Sequence, residues 1–149
     1  MDLSELIAPL APEQFLGEYW GRKPVHIPAP AGTNRQAVIG WARLNALLGV
    51  RTHWGAEHIK LLLNSAPVSP DFYMDPVPGR GGVRRLANPA KVEMFLAMGA
   101  SLVADAVEEV APEIRRLTDA LARQFAARAE ANLYCSFQGI QAFASHCDL

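Results

Sequence analysis

The sequence predicts an α+β fold, helical through its first four fifths and extended at its end. Three observations carry that prediction. Apolar residues fill 50% of the 149 positions, enough for one globular core and too many for a disordered chain. They recur at helical spacing in segments punctuated by proline and glycine as far as Phe125. From Arg128 the spacing switches to two, the period of a strand.

Taken in order, Leu3, Leu6 and Ile7 set a short first helix. After Pro9, a second is marked by Phe15, Leu16, Tyr19 and Trp20. Pro12 stands in its first turn, where the missing N–H costs nothing, and Gly21 ends it. Lys23 to Pro28 reads as an extended segment bounded by prolines, suited to a sheet edge. Ala29 to Gly32 is a turn, and Thr33 or Asn34 caps a helix to about Leu48, aligning Val38, Trp41, Leu44, Leu47 and Leu48 before Gly49. His58 to Asn64 is a strand. Pro67, Pro70, Pro76, Pro78, Gly79, Gly81 and Gly82 break up the stretch from Ala66 to Gly82, which reads as a long loop. Asn88-Pro89 starts a helix through Met98, and Ala100 to Ala104 is a short strand. Pro112 opens the best-defined helix, with Ile114, Leu117, Leu121 and Phe125 inward and Arg115, Arg116, Asp119 and Arg123 outward.

Fourteen Lys and Arg balance 15 Asp and Glu, for a formal net charge of −1. Nothing there attracts nucleic acid or an acidic membrane as a whole, so neither is an expected partner. Arg80, Arg84, Arg85 and Lys91 lie with no acid among them and read as a solvated loop face. Glu108, Glu109 and Glu113 read as surface charge near a helix start. Trp20, Trp41 and Trp54 have no interleaved basic residues and read as core or interface. Cys135 and Cys147 cannot make a disulfide framework, and the acidic Met1-Asp2-Leu3-Ser4-Glu5 is unlike a secretory signal, so the cytoplasm is the expected compartment. The uncharged run from Met94 to Ala104 is too short to cross a bilayer.

Chemistry concentrates at the end of the sequence. If Ala142 to Leu149 is a strand, His146 and Asp148 share one face with Ala142 and Ala144, while Phe143, Ser145 and Cys147 share the other. An imidazole and a carboxylate then project side by side, two corners of the triad that holds Fe(II) with coordination positions open. Cys135, His146, Cys147 and Asp148 do not make a zinc site, because Cys147 points away and no Cys-x-x-Cys pair exists.

Asn132-Leu-Tyr134-x-Ser136, Gln138-Gly139-x-Gln141-x-Phe143 and His146-x-Asp148 together resemble the JmjC-type cupin oxygenases, particularly the bacterial cupin-like group related to ribosomal oxygenases. Phe15-Leu16 through Tyr19-Trp20 to Lys23-Pro24 is similar to the opening segment of that family. Met98 to Val103, followed by Val110-Ala-Pro112 and the Leu117/Leu121 helix, is similar to its middle. The resemblance covers nearly the whole chain in order, with the loop from Pro67 to Gly82 contributing little. It implies a helical N-terminal part, residues 1–127, leading into the first strands of a double-stranded β-helix barrel over 128–149. It also implies an Fe(II)- and 2-oxoglutarate-dependent hydroxylase acting on a protein, peptide or small-molecule side chain. His146 and Asp148 would be its metal ligands, and Asn132, Tyr134 and Ser136 its polar contacts to 2-oxoglutarate or substrate.

The family's second iron-binding His, and the basic residue that grips the distal carboxylate of 2-oxoglutarate, lie well beyond the His-x-Asp. His26, His53 and His58 precede the motif and do not match it. The sequence therefore reads as the N-terminal portion of such an enzyme, truncated and expected to bind metal weakly through two ligands. The rival expectation is a non-catalytic cupin-like module that binds a partner or forms a homodimer through its helical elements.

Overall fold

Asp2 opens the first helix, α1 (Leu3–Ile7), with a capping box: its carboxylate accepts from the Glu5 N–H at 3.0 Å, and the Glu5 carboxylate accepts from the Asp2 N–H at 3.0 Å. The computed structural model describes residues 2–28, 38–50 and 53–143. Pro12 starts α2 (Pro12–Gln14), which continues as a π-helical turn over Phe15–Tyr19 and ends at Gly21, where φ is +68°. Lys23 to Pro28 is extended, with Val25 and Ile27 half-buried between exposed neighbours, but it enters no ladder. Prolines at 24 and 28 remove donors such a ladder would use.

The third helix, α3 (Trp41–Leu48), is shorter than its sequence pattern suggests. Gly40 is its N-cap in an extended conformation and Val38 and Ile39 lie in a bend, while Thr33 and Asn34 lie outside the described residues. Leu44, Leu47 and Leu48 still face inward as the spacing requires.

Four antiparallel strands form the main sheet in the order β2 (Ala66–Pro67), β1 (Ile59–Leu63), β5 (Ser101–Ala104), β6 (Leu133–Cys135). Asn64 and Ser65, both at positive φ, make the two-residue turn between β1 and β2. Register sorts the side chains. Ile59 opposes Ala104 and Leu61 opposes Leu102, while Leu102 and Ala104 oppose Cys135 and Leu133. This face packs on Trp54, on Leu44 and Leu47 of α3, on Val92 and Leu96 of α5 (Pro89–Ala97), and on Ile114 of α6 (Pro112–Phe125). The opposite face presents Lys60, Val103 and Tyr134 in one row across three strands.

The stretch from Ala66 to Gly82 is not a loop. After β2 comes a helical turn, α4 (Pro70–Tyr73), and then a hairpin of β3 (Met74–Gly79) and β4 (Gly82–Ala87) closed by Arg80-Gly81. Pro76 and Pro78 are two positions apart, so their ring nitrogens point to the same side. In a two-stranded ribbon that side is the unpartnered edge, where a missing N–H breaks no ladder bond. The hairpin is anchored at its base, where Met74, Leu86 and Ala87 are buried and the Ala87 N–H donates to Trp54 O at 2.8 Å.

The basic residues of this region are not a bare solvated face. Arg85 pairs with Asp71, Arg84 with Glu57 at 3.5 Å, and Lys91 with Asp75 at 2.6 Å. Each acid comes from a different segment, so nearest-neighbour charge could not reveal the pairing. Asn88 caps α5 through its Oδ1, as expected. Along α6, Ile114 and Thr118 are buried, Leu117, Leu121 and Phe125 are half-buried, and the predicted outer residues are exposed.

Candidate functional site

β6 and the chain that follows build one wall of a cavity of about 800 Å³ on the open face of the main sheet. The predicted alternation holds there. Ala131, Leu133 and Cys135 pack against the core, while Asn132, Tyr134 and Ser136 are exposed on the other side. Asn132 and Tyr134 line the cavity with Lys60, Val103 and Tyr73. The Ser136 hydroxyl instead lies 2.6 Å from that of Ser101, tying the end of β6 to β5. Burial pushes the Cys135 thiol up, away from a reactive thiolate.

Beyond β6 the chain turns at Gln138-Gly139, with Gly139 at φ +82° and the Ile140 N–H donating to Phe137 O at 3.1 Å. Residues 136–143 form no strand, and the strand expected from Ala142 to Leu149 lies, apart from its first two residues, outside the described residues. Glycine's freedom at positive φ gives a tight turn here in place of a continuing ladder. The turn brings the Phe143 ring edge-on to Tyr134, at 5.9 Å between centroids, so Phe143 too lines the cavity. His146, Asp148 and Cys147 lie outside the described residues.

Acids dominate the cavity walls. Glu57, Asp105, Glu108, Glu109 and Glu130 face it against Lys60 and Arg128. Lys60 Nζ is 2.9 Å from Asp105 Oδ2, and Arg128 Nη2 is 2.5 Å from Glu130 Oε1. Asn132 and Tyr134 add uncharged hydrogen-bonding side chains to these walls. Lys60 and Arg128 are thus both engaged with carboxylates.

The three acids read as surface charge have separate partners. Glu108 is buried, and its Oε2 accepts from the Ala131 N–H at 3.0 Å. The Val107 N–H donates back to Ala131 O at 3.0 Å, so the 3-10 turn Val107–Glu109 clasps both polar groups of the residue just ahead of β6. Glu113 makes a two-pronged pair with Arg43 of α3, at 2.5 and 3.2 Å. Arg43 holds the Glu113 carboxyl below its ordinary value.

Glu109 belongs to a further cluster at the cavity rim. Among the described residues, His53, His58 and Glu109 each bring one donor atom within 4.8 Å of the others. The two imidazoles stack at 4.3 Å between centroids, and His53 meets Trp54 edge-on at 4.6 Å. His53 Nδ1 lies 3.6 Å from Glu109 Oε2, and His58 Nδ1 lies 3.5 Å from Glu57 Oε1. Burial, reinforced by the neighbouring His58, pulls the His53 pKa down and favours its neutral form. Sequence reasoning passed over this group because Glu109, on the turn after β5, lies far along the sequence from the two histidines ahead of β1. The spacing His53-x-x-x-Glu57-His58 was the only signal.

No protein-family model matches the chain, and no curated protein matches it.

Proposed function

We propose that this chain carries one wall of a JmjC-type Fe(II)- and 2-oxoglutarate-dependent oxygenase site, on a sheet that begins a double-stranded β-helix barrel. The reaction is hydroxylation of a side chain of a protein, peptide or small molecule. The observation that carries the reading is the course of the chain after β5. Asn132 and Tyr134 alternate into the cavity, the Gln138-Gly139 turn reverses the chain, and Phe143 packs on Tyr134. His146 and Asp148 follow three and five residues later.

In this reading His146 and Asp148 are metal ligands, and Asn132 and Tyr134 hydrogen-bond to the dicarboxylate or the substrate. Iron and 2-oxoglutarate, when bound, supply the oxidising power needed for an unactivated C–H bond. The second metal-binding His and the basic residue for the distal carboxylate come from other residues than those of the described cavity.

The test is 2-oxoglutarate turnover, read as succinate, by the reading frame containing this sequence. His146→Ala and Asp148→Ala each abolish turnover while leaving the melting temperature largely unchanged. Normal succinate output from Asp148→Ala refutes the assignment.

A second reading is favoured by one feature. Leu3, Leu6, Phe15, Trp20, Leu121 and Phe125 line an apolar groove of about 410 Å³, with Trp20 stacked on Phe125 at 4.2 Å yet 54% exposed. Self-association lost on Trp20→Ser, without any succinate formation, selects the non-catalytic homodimerising module instead.

A further inference from the structure

We propose that His53, His58 and Glu109 form a binding site for a divalent cation of the zinc class, with one coordination position open toward the cavity. Its ligands are other residues than His146 and Asp148, and the proposal does not depend on the oxygenase reading.

The first argument is hydrogen bonding. Buried polar side-chain atoms in folded proteins nearly always have a partner. His53 Nε2 and His58 Nδ1 are buried without one, on rings stacked against each other. Glu57 Oε1 lies 3.5 Å from His58 Nδ1 without making a hydrogen bond to it. Two stacked imidazoles, each with an unpartnered buried nitrogen, and a carboxylate 3.6 Å from His53 Nδ1 make a donor set suited to a metal ion.

The second argument is geometry. Zinc–nitrogen bonds of about 2.0–2.1 Å in a tetrahedral shell place donors about 3.3 Å apart. The present donors lie within 4.8 Å, so binding has to draw them in by at most about 1.5 Å. Glu109 can make that movement, because its side chain is 53% exposed on a short 3-10 turn. His53 is held by its edge contact with Trp54, and His58 by its place directly before β1.

The donor set decides the class of ion. Two imidazoles with one carboxylate suit zinc and its borderline neighbours, whereas calcium and magnesium take oxygen ligands. Three protein ligands leave one position free. His58, Glu109 and Glu57 all line the cavity, so water or an anionic group bound there comes from that side.

The experiment titrates chelator-stripped full chain with Zn²⁺ against a chromophoric chelator, and with Co²⁺ as a spectroscopic probe. The expected result is one equivalent of zinc and visible Co²⁺ bands of tetrahedral intensity. His53→Gln and His58→Gln each weaken binding by more than about 100-fold, beyond the loss a supporting contact causes. Glu109→Gln, at an exposed position where folding is not at risk, weakens it by at least about tenfold and alters the Co²⁺ spectrum. His146→Ala and Asp148→Ala leave binding unchanged. Absence of stoichiometric binding overturns the proposal. So does retention of the wild-type affinity and spectrum in Glu109→Gln, or loss of the site in His146→Ala.

Discussion

Glu108→Ala tests how the strand carrying Asn132 and Tyr134 is held in place. β6 pairs with the sheet over three residues only, opposite Leu102, Val103 and Ala104. The Glu108 carboxylate accepts from the Ala131 N–H at 3.0 Å from a buried position, just ahead of that strand. A hydrogen bond to a charged group contributes about 1.5–3 kcal/mol, and Ala131 is only half-buried, so water recovers part of the loss. The expected cost is about 2 kcal/mol. Glu108→Gln keeps an acceptor oxygen in place and should cost about 1 kcal/mol or less. Urea denaturation measures both. Because the lost contact is local, the amides of 131–135 should exchange about 30-fold faster in Glu108→Ala, while the α3 amides follow only global unfolding. Stability within about 0.5 kcal/mol of wild type with unchanged exchange in β6 refutes the clasp. Equal damage from Gln and Ala refutes the acceptor role in particular.

Two further perturbations report on other joints. Asn88 caps α5 through Oδ1, at 3.0 and 3.3 Å from the Ala90 and Lys91 N–H groups, and its Nδ2 donates to Asp75 at 2.6 Å. Asn88→Ala should cost about 1–2 kcal/mol in denaturant titration, with Asn88→Ser recovering part of it as a cap that cannot reach Asp75. Glu113 has its carboxyl held below the ordinary 4.5 by Arg43, so its pair stabilises the fold above that pH and stops doing so as pH falls through the lowered value. Glu113→Gln should therefore melt slightly lower than wild type at pH 7, and the gap should close on acidification. A gap that widens in acid contradicts this sign.

Helix starts were legible because the chemistry that begins a helix is local. Pro12, Asn88-Pro89 and Pro112 mark the ends of α2, α5 and α6 where they were expected. Strands β1 and β5 were legible as apolar runs, and the alternation through β6 put Asn132 and Tyr134 on the face the cavity occupies. The β3–β4 hairpin was not legible, because Pro76 and Pro78 argue against a strand unless the ribbon is known to have a free edge on that side. A strand's neighbours are a tertiary fact. The same holds for the early start expected of α3, where Gly40 outweighed the helical spacing of Val38.

Glu108, Glu109 and Glu113 show why the site was harder to read than the fold. All three have the same side chain, lie within six residues and precede or open one helix, so sequence assigns them a single role as surface charge near its positive end. The 3-10 turn Val107–Glu109 separates the first two. It turns Glu108 inward to the Ala131 amide and leaves Glu109 outward beside His53. Glu113, in the first turn of α6, meets Arg43, which is 70 residues away in sequence. A carboxylate accepts from whichever donor or cation the fold brings near, and here those are a backbone N–H, an imidazole and a guanidinium. None of the three is a sequence neighbour of its acid, so composition and spacing carry no trace of the difference. The zinc proposal rests on the same fact: the residues to test are those brought together by β1, β5 and the turn after it, and the His-x-Asp pattern further along gives no guide to them.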